Sequence, residues 1–334
     1  MEWLKLPKKE RVNVLTQASK QTKLPPQAIE KDWWVTMVLK SLFSMPFAGH
    51  LLFKGGTSLG KCWELIERFS EDVDIAIDRE YLGFGGDLSR TQISDKLRRA
   101  SCSFTRETLQ SELKNQLIGL GIPDSSFSIH VEITSVTTTD PEMIEVHYIS
   151  DFSNVDYIQN KVLIEVSGRS MNEPKEKVHI NSIVSRTYPD AVFSGKSFEI
   201  EAVSPKRTFL EKACLLHEEF AKATKDIRIE RMSRHLYDLE KMADTSITQE
   251  ALNDTDLYKS VIEHRRKFIG LKDFDYGTLM PQTISFVPPK EVIAYWEEDY
   301  KRMQSTMIYG ESLPFDKLIK RIGELNTRFR NVKL

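Results

Sequence analysis

Two aspartates separated by one residue, Asp72 and Asp74, are the side chains best suited by type and interval to carry out a reaction. They sit in Ser70-Glu71-Asp72-Val73-Asp74-Ile75-Ala76-Ile77-Asp78, where Val73, Ile75 and Ile77 alternate with Asp72, Asp74 and Ala76. In an extended strand alternate side chains share a face, so both carboxylates point the same way. Two hard oxygen donors in that arrangement suit Mg2+ ions that also hold nucleotide phosphates. An isolated Asp-x-Asp is more often a solvated turn or strand face. The apolar flanks here, and the residues that come before, shift the balance toward function.

Upstream, His50-Leu51-Leu52-Phe53-Lys54 reads as a short buried strand and Gly55-Gly56 as a turn. Thr57 then reads as the N-cap of a helix whose apolar face holds Leu59, Cys62, Trp63 and Ile66. A glycine turn opening into a helix presents unpaired backbone N–H groups and the positive end of the helix dipole, which together make a seat for a triphosphate. Gly55 and Gly56 would admit the phosphates closely. Thr57 and Ser58 would add hydroxyl donors, and Lys54 and Lys61 positive charge on either side. The chemistry that fits is in-line displacement at a phosphoryl group on two Mg2+ ions, with an attacking hydroxyl activated and a leaving pyrophosphate stabilised.

Hydrophobic period indicates the helices and strands that would carry these residues. From Glu10 to Phe43 the pattern is helical, broken at Pro25-Pro26. A glycine-containing loop runs from Tyr81 to Asp87 and a helical stretch from Thr91 to Gly119. Strand-like alternation occupies Phe127 to Val136, Met143 to Ile149, Lys161 to Ser167 and Phe198 to Val203. Ser204-Pro205 is a strong helix start, and the chain beyond it is mostly helical. The reading is an α+β protein: a mixed sheet flanked by helices, with N-terminal helices, over residues 1–203, and a C-terminal helical domain over 204–334.

Composition narrows the classes. A chain of 334 residues with 40% hydrophobic and 29% charged residues is an ordinary folded protein, long enough for two structural units. Its formal net charge of -2 provides no global field to recruit nucleic acid. Cys62, Cys102 and Cys214 form no close pair, which argues against disulfides and zinc. His130, His147, His217 and His235 show no zinc-ligand spacing, and there is neither a Gly-x-Ser-x-Gly elbow nor a Walker motif. Met1-Glu2-Trp3-Leu4-Lys5 opens no signal peptide and no window reaches about 18 uninterrupted apolar residues, so a cytoplasmic protein without membrane association is expected.

Phe53-Lys54-Gly55-Gly56-Thr57-Ser58-Leu59, followed by Arg68-Phe69-Ser70-Glu71-Asp72-Val73-Asp74-Ile75, resembles the signature of the AbiEii/AbiGii family of nucleotidyltransferase toxins. The likeness extends to Glu30-Lys31-Asp32-Trp33, to Ser204 through Leu216, and to Arg234-His235-Leu236-Tyr237-Asp238-Leu239. At His235 the chain departs from the aspartate that relatives commonly carry, so it supplies no carboxylate there. The resemblance implies a polymerase-β-like core, an NTP substrate with Mg2+, and a toxin acting in a toxin–antitoxin or phage-defence (abortive infection) system. Relatives of the MenT type transfer nucleotides to tRNA, which implies a tRNA or other RNA acceptor, and the family implies a cognate antitoxin protein.

The polymerase-β-like scheme also implies a third acid on a neighbouring strand. Glu165 is preferred, because its strand resembles the family's, but Glu132 and Glu145 satisfy the same alternation and stay open. Catalytic roles thus fall to Asp72, Asp74, Glu165 and Lys212, with the three acids as metal ligands. Lys212 lies on the buried stripe of Phe209, Ala213, Leu216 and Phe220, where a lysine needs an anion; the family-like role is contact with phosphate. The nucleotide site would comprise Lys54, Gly55, Gly56, Thr57, Ser58, Lys61, Ser70, Lys212, Arg231, Arg234 and Asp238. Arg228, Arg231 and Arg234 recur at intervals of three as a basic helix face, and Asp238, four after Arg234, is expected to pair with it. Lys317, Lys320, Arg321, Arg328, Arg330 and Lys333 read as a solvated helix end more readily than an RNA contact. The competing functions are the same chemistry on a protein or small-molecule acceptor, as in antibiotic-modifying enzymes, and a non-catalytic nucleotide- or RNA-binding module.

Overall fold

A computed structural model describes residues 2–70, 72–132, 142–153 and 158–333. The chain divides into two compact units, one of Met1–Cys62 with Phe69–Val203, the other of Trp63–Arg68 with Ser204–Leu334.

The first unit opens with α1 (Glu2–Lys5), α2 (Lys8–Thr22) and α3 (Pro26–Leu42). Pro26 stands in the first turn of α3, where its missing N–H costs nothing, and Pro25 before it is held out of the helix at ψ 145. The sheet comprises β1 (Leu51–Lys54), β2 (Asp72–Ile77), β3 (Phe127–Glu132), β4 (Glu142–Tyr148), β5 (Lys161–Ser167), β6 (Lys175–Ile180) and β7 (Phe198–Val203), in the order β3-β4-β5-β2-β1-β7-β6. The pairs β2–β5 and β1–β7 are parallel and the others antiparallel, so this is the mixed sheet that the strand patterns imply. The strand expected over residues 127–136 is seen as far as Glu132; residues 133–136 lie outside the described residues, as does Glu71.

A short helix, α4 (Gly55–Lys61), follows β1. Residues 90–119 form one helical run, in which α5 (Arg98–Phe104) and α6 (Gln110–Gly119) are flanked by the π-helical stretches Gln92–Leu97 and Thr105–Leu109. Helix α7 (Ile183–Thr187) lies between β6 and β7. Val73, Ile75, Val162, Ile164, Val166, Ile144 and Val146, one parity of three central strands, are fully buried. Helices α3 and α5 pack against β5, and α6 against β3. Each such side chain removed from water contributes about 1.5–3 kcal/mol, enough to fix which face of the sheet points inward. On the opposite parity Asp72, Asp74 and Glu165 are half-exposed.

The sequence pattern did not reveal β6. It is an edge strand whose Lys175 and Lys177 pair across to Glu201 and Glu199, and charge on both faces conceals the alternation while discouraging edge-to-edge aggregation. The helix after the glycine turn is also shorter than its apolar spacing suggests. It stops at Lys61, Glu64 adopts φ 52, and Trp63–Arg68 belongs to the second unit. That segment is held by Tyr309 and Gly310, whose N–H groups donate to the Glu67 carbonyl at 3.1 and 3.3 Å, and by a β-bridge from Arg68 to Ile308.

The second unit otherwise consists of helices: α8 (Pro205–Phe220), α9 (Ser233–Met242), α10 (Ser246–Asn253), α11 (Thr255–His264), α12 (Ile293–Thr306) and α13 (Phe315–Arg330). Phe209, Leu216, Trp296, Tyr300 and Phe329 are fully buried at its centre. Pro205 opens α8 as its position dictates, although the buried Ser204 hydroxyl does not cap the helix. Among the described residues no helix is long and apolar enough to cross a membrane.

Candidate active site

The register of the sheet decides which acids meet. Asp74 lies directly opposite Glu165 in the parallel β2–β5 pair, and opposite Lys54 in the antiparallel β1–β2 pair. Asp72 is opposite Leu163, one pleat from Glu165 on the same face. Glu145 shares this face but is opposite Leu163 from the far side of β5, and its carboxylate is engaged by Lys161 and by His147 at 2.7 Å. The bond from Lys161, aided by His147, holds the Glu145 carboxyl below its ordinary range. Glu132 is opposite Met143, which is itself opposite Glu165, so two strand spacings of about 4.8 Å separate Glu132 from Glu165. Of the three acids left open by alternation, Glu165 is the one on the strand beside Asp74.

The glycine turn meets the same carboxylate. Gly55 has φ +80, and a Cβ built on it would fall 1.9 Å from Asp74 Oδ2. Any side chain at 55 would therefore displace Asp74, and the close approach expected of Gly55 is made by the protein's own acid. Lys54 Nζ lies 3.9 Å from Asp74 Oδ1. Gly56 follows within the first turn of α4, half-buried.

Several neighbours turn inward instead of outward. Helix α4 begins at Gly55 with Lys54 at its N-cap, so Thr57 is not the cap. Its buried hydroxyl lies 2.5 Å from the Asp72 carbonyl and 2.9 Å from Ser70 Oγ; a carbonyl only accepts, so Thr57 donates there and pins the first residue of β2. Ser58, fully buried, donates to the Gly55 carbonyl at 2.8 Å. Lys61 is bound to Asp32 at 2.6 Å, and Asp32 also accepts from the Ile183 N–H at 2.7 Å. The hydroxyls of Thr57 and Ser58 and the charge of Lys61 thus brace the turn, which spacing alone could not distinguish from ligand contact.

In the second unit Lys212 and Asp238 are joined by Arg68. Asp238, fully buried, accepts from Arg68 Nε at 2.7 Å and from its terminal nitrogen at 2.8 Å, and Lys212 Nζ lies 2.9 Å from Asp238 Oδ2. Burial opposes ionisation of Asp238, but the adjacent Arg68 and Lys212 charges outweigh it and hold the carboxyl well below the usual range. Burial, with the nearby arginine charge, lowers the Lys212 pKa against the pull of Asp238. Sequence spacing nominates Arg234 as the partner of Asp238; the carboxylate is held by Arg68, 170 positions away, and by Lys212.

The arginines at intervals of three do not share a helix face. Helix α9 begins at Ser233, after Arg228 and Arg231, and Arg231 has φ 58. Arg228 is bonded to the buried Glu219 at 2.8 Å, and the Arg231 N–H donates to Asp299 at 2.7 Å. Asp299 also accepts from the Ser233 N–H at 3.0 Å, so it caps α9 from α12. In α13, Arg328 and Arg330 bond the carbonyls of Ala243 and Ile284, and Arg321 pairs with Asp244, which fits a helix end within its own unit.

Carboxylate oxygens on one half-exposed face fit a hard divalent cation in donor type. Among the described residues no three His, Cys, Asp or Glu side chains gather closely enough to hold a metal ion.

A mixed sheet carrying an Asp-x-Asp pair against a glycine turn, followed by a helical unit, defines a nucleotidyltransferase-type architecture. The chain belongs to the AbiEii family, nucleotidyl transferase toxins of type IV toxin–antitoxin systems, which its residues 38–321 match. Membership implies a cognate antitoxin. No curated protein matches the chain. Among solved structures it is similar to MenT4, a nucleotidyltransferase toxin from Mycobacterium tuberculosis H37Rv, with 14% identity and a TM-score of 0.49 over 96% of this chain and 90% of that one. It is also similar to JHP933 from Helicobacter pylori, with 14% identity and a TM-score of 0.43 over 92% and 93% of the two chains. A putative nucleotidyltransferase from H. pylori gives 15% identity and a TM-score of 0.44 over 92% and 96%.

Proposed function

We propose that this toxin transfers a nucleoside monophosphate from an NTP to an acceptor hydroxyl on RNA, with tRNA as the acceptor, and that arrested translation in phage defence is the outcome. The observation that carries the reading is the position of Asp74, register partner of Glu165 on one side and seated against side-chain-free Gly55 on the other. Asp72 and Asp74, with Glu165 on the neighbouring strand, are the acids proposed for Mg2+. Among the described residues they do not gather into a three-ligand site by themselves, so phosphate oxygens of the nucleotide would complete it. The ion when bound supplies positive charge to the phosphates and the attacking oxygen.

The chain's own contribution is position. Thr57 fixes the start of β2 through the Asp72 carbonyl, so the Asp-x-Asp pair cannot shift register against the turn. Gly55 admits Asp74, and Lys54 offers a cation beside it for a phosphate. In the second unit Lys212 contacts phosphate, and Arg231 and Arg234 are further candidates for that role.

Purified protein incubated with each labelled NTP, Mg2+ and total RNA tests the reading, alongside Asp72→Ala and Asp74→Ala. Label should enter RNA with the wild-type protein and with neither variant. Transfer that persists in both variants would remove these acids from the mechanism, and label appearing in protein or small molecules instead would replace the acceptor. Growth arrest on induction should disappear in the same variants.

A further inference from the structure

The acids of the proposed reaction belong to a face of the sheet that continues past them. In register, Lys54, Asp74, Glu165, Met143 and Glu132 form one row across β1, β2, β5, β4 and β3. Residues two apart on a strand share a face. The next row on this face therefore holds Asp72, Leu163, Glu145 and His130, and the one after it Lys161, His147 and Ser128. The other parity of β3, β4 and β5 is the one buried against helices. On the face of the acids, Ser128 and His130 are exposed and Met143, Leu163, His147 and Lys161 half-exposed.

In-line displacement fixes the side from which an acceptor comes, because the attacking oxygen approaches phosphorus opposite the leaving pyrophosphate. Lys54, the cation offered to a phosphate, is on β1 to one side of Asp74, and Glu165 is on β5 to the other. With the triphosphate toward β1, the acceptor hydroxyl arrives over β5, and the strand that carries it runs on over β4 and β3. There it meets two imidazoles, His130 and His147, whose ring centroids are 5.1 Å apart with planes at 84°. By strand spacing and rise their backbones stand about 12 and 14 Å from that of Glu165, within reach of the nucleotides next to the reacting hydroxyl. Ser128 Oγ lies 3.1 Å from His130 Nε2. Glu145 is answered by His147 at 2.7 Å and by Lys161, so its charge does not stand free to repel a polyanion. Between the rings and the acids, Met143 and Leu163 offer apolar surface.

We propose that this face of β3, β4 and β5 seats the acceptor RNA, with unpaired bases next to the reacting hydroxyl stacked on the rings of His130 and His147. Single-stranded RNA binds open sheets in this way, through aromatic side chains that meet the faces of its bases. The inference rests on the reading of RNA as the acceptor and adds the surface that holds it. Stacking tolerates any base, so selection here is for a single-stranded end, since a duplex keeps its base faces covered.

The test is steady-state transfer to bulk tRNA, with Mg2+ and the NTP that labels RNA best, in the wild type and three variants. The double variant His130→Ala/His147→Ala removes both rings, and His130→Tyr keeps an aromatic ring on the exposed edge strand. His179→Ala removes an exposed histidine from β6, at the opposite edge of the sheet. The double variant should raise KM for tRNA about twentyfold or more. Its KM for the NTP and its kcat at saturating tRNA should stay within about threefold of the wild type. His130→Tyr should keep KM for tRNA within about threefold, and His179→Ala should leave it unmoved. A wild-type KM for tRNA in the double variant, a fall in kcat alone, or an equal loss in His179→Ala would overturn the proposal while RNA remains the acceptor. If the wild type labels protein or small molecules in place of RNA, the acceptor reading falls and this surface assignment falls with it.

Discussion

Two acidic regions of this chain differ in how their charges are held. On the sheet of the first unit, Asp72, Asp74 and Glu165 are half-exposed on one face. In the second unit, Asp238 is fully buried and held by a bidentate arginine and a lysine. Half-exposed acids of the first kind stand where a ligand can reach them. An acid of the second kind is committed to its partners, because a buried carboxylate without them would carry a large desolvation penalty. Charge alone therefore does not mark an active site; the distinction lies in burial and in who supplies the counter-charge.

Substitutions at the two regions should separate activity from stability. Asp74→Ala is expected to reduce labelled-nucleotide transfer on the order of a thousandfold, while thermal melting changes little because the side chain is half-exposed. A large melting shift with retained transfer would reverse the comparison. Asp238→Ala should show the opposite emphasis, a loss of about 3–5 kcal/mol in urea denaturation, since it leaves Arg68 and Lys212 buried without their shared partner.

The same carboxylate predicts a pH dependence. The folded pKa of Asp238 lies below its unfolded value of about 4. Its stabilisation is then fully present above about pH 4 and is lost as the pH falls below that toward the folded value. Asp238→Asn should be less stable than the wild type near neutrality and should flatten this acid limb of the stability curve. An unchanged acid limb would show that Asp238 does not carry it.

Gly55→Ala tests the link between turn and acid. Alanine at φ +80 costs about 1–2 kcal/mol in backbone strain, and displacement of Asp74 should lower transfer by on the order of a hundredfold. Wild-type transfer in this variant would mean that Asp74 need not lie against the turn. The smallest effect is expected at Arg321→Ala, where an exposed pair with Asp244 contributes less than about 1 kcal/mol by denaturation.

Much of the fold was legible. Alternation located the strands that carry Asp72, Asp74 and Glu165, and proline placed the starts of α3 and α8. β6 escaped because its signal is charge pairing to a strand about twenty residues on, which a local period does not record. In the glycine segment, residue type identified Gly55 but could not say that Thr57, Ser58 and Lys61 face inward. The intervals of three among Arg228, Arg231 and Arg234 suggested a helix face where the chain is not yet helical, because Arg231 departs to positive φ. Arg68 stood in plain view as part of a motif, yet no local signal announced its partner.

The shared parity of Asp72 and Asp74, the need for glycine at 55 and the family are written in the linear order of residues, because period, backbone freedom and motif are local properties of a chain. Packing was required to establish that Glu165, and not Glu132 or Glu145, stands beside Asp74, and that Asp238 answers to Arg68 and Lys212. A period of two fixes the face on which a side chain lies but not the strand that will be its neighbour. Strand register and buried ion pairs are settled only when distant segments bury their apolar faces together.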